Sequence, residues 1–131
     1  MMKTRYGFGK EVSGGYEETV AKVKSELAKV GFGILSEIDV KATLKKKLDK
    51  DVAPYVILGA CNPPFASRIF DAEPTMGLLL PCNVVVRQVA EGKMSVEMMD
   101  PEAMVKMTDN ATVIKVAQEV RPLLEKALAA V

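Results

Sequence analysis

The chain has 131 residues, of which 49% are hydrophobic and 27% charged, values that are typical of a folded globular protein and exclude a disordered one. Its 18 Lys and Arg nearly balance 17 Asp and Glu, so the net charge of +1 does not favour nucleic-acid or anionic-membrane binding. The chain contains no His, which excludes Ser-His-Asp and Cys-His catalytic units.

The N-terminus and the cysteine content predict a cytoplasmic protein. The segment Met1–Gly7 carries charges without a following apolar run, so we expect no secretory signal. No segment approaches the roughly 20 apolar residues that span a bilayer, so we expect no membrane partner. Two cysteines without a signal indicate free thiols in a reducing compartment.

The chain begins with a predicted strand and helix. Residues 4–12 alternate, with Tyr6, Phe8 and Val12 on one face, which predicts a strand. An apolar stripe at steps of three and four then predicts a helix, and Gly31 occupies the position that usually follows a helix end. The residues of the stripe are Tyr16, Val20, Val23, Leu27 and Val30.

Two more strand–helix pairs follow. Phe32–Ile38 predicts a strand, and Asp39 is the expected cap of a short helix. Tyr55–Ala60 is a continuous apolar run, typical of a central strand that is covered on both faces. Asn62 is expected to cap a third helix over Pro63–Phe70. The inward residues of the second helix are expected to be Val40, Leu44 and Leu48.

The last part of the chain predicts a hairpin and two helices. Asn83–Val89 is a second central strand, and Lys93–Met99 follows the Glu91–Gly92 turn to complete the hairpin. Asp100 starts a short helix, and the last helix begins at about Ala111. The inward residues of the last helix are expected to be Val113, Val116, Val120, Leu124, Ala127 and Val131.

This order of elements predicts an α+β fold. The hairpin and the short connections favour a single two-layer domain over residues 1–131, with a mostly antiparallel or mixed sheet of about five strands and helices packed on it. A doubly wound parallel sheet stays open as the alternative. Pro122 is expected to kink or interrupt the last helix.

Two Cys-Asn steps form the candidate site. Cys61 ends one central strand and Cys82 precedes the next, so antiparallel pairing would bring both thiols and the amides of Asn62 and Asn83 to one edge of the sheet. Cys61 also precedes a predicted helix N-terminus, where the helix dipole favours a thiolate. The pattern predicts a pocket with Cys61 as reactive thiol, Cys82 as its resolving or co-ligating partner, and the two amides as orienting groups.

The same residues have a purely structural interpretation. A free Cys often behaves as a small buried hydrophobic residue. Asn62 would then serve only as a helix cap, and Asn83 would satisfy backbone groups around Pro81. Both interpretations stay open.

Arg87 is the fifth candidate ligand-binding residue, because it interrupts an otherwise apolar strand near the cysteines. It would serve as a clamp for an anion. The alternative is an ion pair with a carboxylate of the sheet such as Glu97.

A methionine cluster raises the alternative of a soft-metal site. Thioethers and thiolates are ligands that select Cu(I), but the spacing of these methionines favours core filling. Two cysteines are also too few for a structural zinc site. The clustered residues are Met94, Met98, Met99, Met104 and Met107.

Three segments carry a family resemblance. Tyr55–Pro63, Gly77–Val84 and Asp100–Pro101 resemble the signature of the family catalogued as domain of unknown function 302. The resemblance implies a compact α+β fold that self-associates as a homodimer, and it implies no activity and no catalytic residue. The matching positions are Gly59, Cys61, Asn62, Pro63, Leu80, Pro81, Cys82 and Asn83.

The functional hypothesis is therefore a cytosolic homodimer that binds a small ligand or a thiol-linked group. The expected ligand-binding residues are Cys61, Asn62, Cys82, Asn83 and Arg87. One alternative is a non-enzymatic homodimeric interaction or structural module. Another is a soft-metal binder for copper or zinc. The sequence identifies no cofactor and no reaction.

Overall fold

The computed structural model describes residues 2–131; Met1, the first residue of the segment assessed for a secretory signal, lies outside them. The strands are β1 (Met2–Lys3), β2 (Gly7–Ser13), β3 (Gly33–Asp39), β4 (Tyr55–Cys61), β5 (Cys82–Ala90) and β6 (Lys93–Met99). The helices are α1 (Tyr16–Lys29), α2 (Val40–Leu48), α3 (Pro63–Ala72), α4 (Pro101–Met104) and α5 (Ala111–Ala130). Short 3₁₀ segments cover Pro74–Leu79 and Val105–Met107.

The strands form one sheet in the order β1-β2-β6-β5-β4-β3, and every neighbouring pair is antiparallel. The predicted α+β fold is confirmed, and the parallel alternative is excluded. The sheet has six strands instead of about five. The additional strand, β1, is only two residues long and pairs with Phe8 and Gly9 of β2.

One face of the sheet carries the hydrophobic core. Alternation along β4 places Val56, Leu58 and Ala60 on this face, and Val84 and Val86 of β5 lie on it beside them. All five are buried. Helices α1, α3, α4 and α5 complete this core, to which they contribute Val23, Leu27, Ile69, Met104, Val116 and Leu124.

The opposite face of the sheet keeps partial exposure. We call it the open face and define it by Tyr55 and Ile57 of β4 and by Asn83, Val85 and Arg87 of β5. None of these five side chains is fully buried. The expectation that Tyr55–Ala60 is covered on both faces is therefore wrong. The run is continuous because Tyr55 and Ile57, which point to the open face, are also apolar, although they are only half-buried.

The methionines act mainly as core filling, as their spacing predicts. Met94, Met98 and Met104 are buried, and Met99 is half-buried. Met107 is 73% exposed and lies in the short 3₁₀ segment that follows α4.

Some local details differ from the expected pattern. Tyr6 is 72% exposed, because it lies in the turn between β1 and β2 and not in a strand. Asp39 caps α2 as predicted by accepting a hydrogen bond from the Ala42 N–H, but α2 buries none of its residues and leaves Leu48 exposed. Helix α5 continues through Pro122, which lies on its exposed side, where water can satisfy the carbonyl that lacks a donor.

None of the helices in residues 2–131 combines the length and the hydropathy needed to cross a bilayer.

Candidate ligand-binding site

The two cysteines lie at the same end of neighbouring strands. Strands β4 and β5 pair antiparallel with Ala60 opposite Cys82 and Gly59 opposite Asn83, and Cys61 ends β4 one residue further on. Both thiols are free. Cys82 is 8% exposed and Cys61 is half-buried. The antiparallel register therefore produces the juxtaposition of thiols on which the candidate site depends.

Both thiols line one cavity, which we call the thiol cavity. Its volume is about 180 Å³, and it lies between the end of β4, helix α3, the 3₁₀ segment before β5 and the start of β3. The polar residues of its lining are Asn62 and the two cysteines, and none of the described residues that line it is charged. The other lining residues are Phe32, Leu35, Ala60, Phe65, Ala66, Ile69, Phe70, Gly77, Leu80, Pro81 and Val120.

Burial keeps both thiols protonated at neutral pH. Burial raises the pKa of Cys61 above its ordinary value. For Cys82, burial first and the neighbouring Cys61 second raise the pKa to about 11. The pKa of Cys61 therefore shifts in the direction opposite to the one expected for a thiol at a helix N-terminus. The first two positions of α3 are Pro63 and Pro64, which have no N–H groups to stabilise a negative charge.

The Asn62 side chain connects the site to helix α1. It makes no capping hydrogen bond to α3, although its backbone occupies the N-cap position. Its Nδ2 instead donates to the Val30 carbonyl at 3.4 Å. Gly31, with a φ of 88°, allows this approach, because a Cβ there would lie 2.9 Å from Nδ2. Asn62 thus joins the end of α1 to the β4–α3 corner.

Asn83 and Arg87 do not lie in the thiol cavity. Asn83 follows Cys82 directly in β5, so its side chain belongs to the open face, as does that of Arg87. Both line a separate open cleft of about 630 Å³. Arg87 donates two hydrogen bonds to Glu97, at 2.9 and 3.1 Å, and these bonds raise the pKa of Arg87. The ion pair with Glu97, which the sequence offered as the alternative to an anion clamp, is thus the observed arrangement of Arg87.

The five candidate residues therefore separate into two groups. Cys61, Asn62 and Cys82 line the thiol cavity, while Asn83 and Arg87 line the separate cleft on the open face. Within residues 2–131, the Cys, Asp and Glu side chains form no group of three or more that could hold a metal ion.

Sequence reasoning missed the apolar walls of the thiol cavity. Phe65 and Phe70 occupy apolar positions of α3, and such positions do not distinguish a core residue from the wall of a cavity. Leu35 reaches the cavity from β3 at a β-bulge between Ile34 and Ser36, where the strand register shifts. No sequence signal marks this bulge.

Comparisons with known proteins agree with this fold. A family model described as "Domain of unknown function DUF302" matches residues 8–131. A crystal structure of an uncharacterized conserved DUF302 protein from Bacillus stearothermophilus is similar with a TM-score of 0.87 and 29% sequence identity, over 97% of this chain and 98% of that chain. No curated protein shows significant sequence similarity to the chain.

Proposed function

Since the chain belongs to the DUF302 family, whose description assigns no activity, we propose its function from the site: it binds a small ligand, of which an uncharged, apolar part fills the thiol cavity. The observation that carries the proposal is a cavity with apolar walls and no charged lining residue. A charged group buried there would lack a partner, and burying an unpaired charge is strongly unfavourable.

The volume of the thiol cavity sets the size of the ligand. The cavity measures about 180 Å³. An apolar cavity of about 150 Å³ is enough to bind benzene in another protein. A single ring or a chain of similar volume therefore fits this cavity. Because the Asn62 Nδ2 donates to the Val30 carbonyl, the amide oxygen of Asn62 is the group proposed to orient such a ligand.

The protonation of the thiols favours non-covalent binding over transfer of a thiol-linked group. The thiolate is the nucleophilic form, and burial raises the pKa of both Cys61 and Cys82. In this proposal the sulfur atoms supply polarizable contact surface to an apolar ligand.

Binding of indole tests the proposal. We expect saturable binding by calorimetry to the wild type, and at least a tenfold loss in Ala66→Leu, which places extra carbon atoms inside the cavity. Ala21→Leu is the matched control, because Ala21 is an exposed residue of α1. Circular dichroism checks that the variants fold. The absence of saturable indole binding to the wild type, or equal binding to both Leu variants, would contradict the proposal.

Alkylation of the thiols provides a separate prediction. Because the pKa of Cys61 is raised, we expect iodoacetamide to modify Cys61 more slowly than a free thiol at pH 7.5, with a rate that still rises above pH 9. Cys82, which is more deeply buried, should react more slowly still. Mass spectrometry of Cys61→Ala and Cys82→Ala separates the two rates. A Cys61 rate that reaches its plateau near pH 7 would show an activated thiolate and would argue for covalent chemistry.

A second candidate function is that of a homodimeric interaction module. It is favoured by the open face, where Tyr55, Ile57 and Val85 keep partly exposed apolar surface around the Arg87–Glu97 ion pair. The two charges neutralise each other, so a second copy could cover this face without burying an unpaired charge.

We also propose a reducing, cytosolic location, because both thiols are free.

A further inference from the structure

We propose that the ligand of the thiol cavity is a medium-length alkyl chain that ends in a polar head group. Its terminal carbons would fill the cavity, its next carbons would lie on an apolar rim, and its head group would remain in solvent. The inference rests on the proposed function and adds the chemical class and the orientation of the ligand.

The apolar rim consists of Leu35 of β3 and Phe70 of α3. Both residues line the thiol cavity, yet Leu35 is 69% exposed and Phe70 is 42% exposed. Gly77 also lines the cavity, and the next residue, Leu78, is 89% exposed. Apolar surface thus continues from the inside of the cavity to the outside of the protein. Exposed apolar surface that adjoins a cavity is typical of a ligand-binding groove.

The lining of the cavity determines which end of the chain enters. None of the described lining residues is charged, and the Asn62 Nδ2 is already engaged with the Val30 carbonyl. A carboxylate or a phosphate inside the cavity would therefore lose its hydration without gaining an ionic partner. The apolar end enters, and the head group stays beyond Leu35 and Phe70.

The volume of the cavity predicts how affinity depends on chain length. A cavity of about 180 Å³ has room for roughly six carbon atoms, by comparison with the cavity of about 150 Å³ that holds benzene. Each methylene buried there should raise the affinity about fourfold, from the transfer free energy of a methylene group. Further methylenes lie on the rim, which covers them only partly, so each should add about twofold.

Straight-chain carboxylates from butanoate to decanoate test the inference by calorimetry. For the wild type we expect the affinity to rise along the whole series. In Leu35→Ser we expect the loss of affinity to be about fivefold greater for decanoate than for hexanoate, because only the longer chain reaches the exposed part of the rim. Leu48→Ser is the matched control, because Leu48 is equally exposed, at 69%, but does not line the cavity. Phe70→Ser provides a second rim variant.

The head group is tested separately. The head group is expected to lie in solvent, so its charge should matter little. Decanoate and the uncharged 1-decanol should therefore bind with affinities within about threefold of each other. A tenfold or greater preference for 1-decanol would place the head group inside the cavity and overturn the orientation.

Several results would overturn the inference. If indole binds and the affinity does not rise with chain length, or if Leu35→Ser behaves like Leu48→Ser, the chain ligand is wrong and the proposed apolar site survives. If Leu35→Ser changes the oligomeric state and leaves the chain-length dependence intact, the rim is a protein contact and the chain ligand is again wrong. If neither indole nor any carboxylate binds, both the inference and the proposed function fail.

Discussion

The chemistry of Cys82 follows from its position at the start of β5, on the side of the sheet that faces the core. Cys82 is 8% exposed, so its thiolate would lose most of its hydration. The nearby Cys61 carries no positive charge that would stabilise this thiolate, and it raises the pKa of Cys82 further. Both thiols therefore behave as neutral, polarizable parts of an apolar wall. The same residue type beside free helix N–H groups would behave as a nucleophile.

The free energy of unfolding should report the protonation of Cys82. Its pKa is about 11 in the folded protein and about 8.5 in an unfolded chain, so the unfolded state ionises first as the pH rises. The neutral Cys82 thiol therefore contributes to the free energy of unfolding fully below about pH 8.5, and this contribution is lost as the pH approaches 11. The loss amounts to roughly 3 kcal/mol.

Urea unfolding between pH 8 and pH 11 measures this loss. The stability difference between the wild type and Cys82→Ala should shrink as the pH rises, because titration of Tyr and Lys is common to both proteins and cancels. In Cys61→Ala, which removes the less buried thiol, most of the pH dependence should remain. A difference between wild type and Cys82→Ala that stays constant with pH would contradict the burial of a neutral thiol.

Gly59 allows β3 and Pro81 to approach β4 closely. A Cβ at this position would overlap the Ser36 Oγ and would lie 2.9 Å from the Pro81 Cγ. We expect Gly59→Ala to lower the free energy of unfolding by about 1–3 kcal/mol, because the Ser36 side chain and the Pro81 ring must both move. Gly33→Ala in β3 is the matched control, since a Cβ there meets no atom within 4 Å, and it should change stability by less than about 0.5 kcal/mol. Equal effects in denaturant unfolding would show that the contact is not tight.

At the level of elements, Arg121 joins α5 to the segment that follows β6. Its guanidinium donates hydrogen bonds to Asp100, Glu102 and Glu125 and lies 5.2 Å from the centre of the Phe8 ring. Asp100 also caps α4 by accepting from the Glu102 N–H at 2.9 Å. One half-buried cation therefore links two helices and an inner strand.

Replacing Arg121 should have a larger effect than replacing an exposed arginine. Arg121 is 16% exposed, so Arg121→Ala leaves the half-buried Asp100 without its partner and should cost about 1.5–3 kcal/mol. Arg68 is the matched control, because it also pairs with a Glu and lies over a Phe ring but is 41% exposed. Arg68→Ala should cost at most about 1 kcal/mol. Urea unfolding of both variants measures the two losses of stability. A larger loss for Arg68→Ala than for Arg121→Ala would contradict the role of Arg121 as the link between these elements.

At the scale of the whole molecule, the sheet has two unlike sides. One side contributes to a hydrophobic core that α1, α3, α4 and α5 share, and the other side is the open face. Because this one core connects elements from β2 to α5, we propose that residues 1–131 fold as a single domain.

Self-association through the open face predicts a clear effect of charge. If a second copy covers this face, the wild type should have the mass of a dimer by light scattering. Val85→Lys should produce a monomer, because each copy would bury a lysine without an ionic partner in the interface. Leu48→Lys changes an exposed residue of α2 and should leave the dimer intact. A monomeric wild type, or a dimer that Val85→Lys does not disturb, would argue against this interface.

Most of the fold could be predicted because its signals are local. The apolar stripe of α1, the Asp39 cap and the β5–β6 hairpin depend on residues close together in the chain, and each is present. Strand β1 was missed because two residues are too few to show alternation. The failure of Leu48 to pack inward had no local sign, since burial depends on whether another element covers α2.

The candidate site could be predicted only in part. The antiparallel order of β4 and β5 was enough to bring Cys61 and Cys82 to one end of the sheet. The expected strand began at Asn83, whereas β5 begins at Cys82. Because neighbouring residues in a strand point to opposite faces, the Asn83 side chain is separated from the Cys82 thiol by the sheet itself.

By itself, the sequence determined the order of the elements, the α+β class and the neighbourhood of the two thiols, because periodicity and strand order are properties of nearby residues. Only the tertiary structure decided that the thiols are neutral and that the cavity beside them is apolar. Those properties depend on walls such as Phe32, Leu80 and Val120, which are far apart in the chain and meet only after folding. Burial is a property of that assembled environment, and no short segment of the chain encodes it.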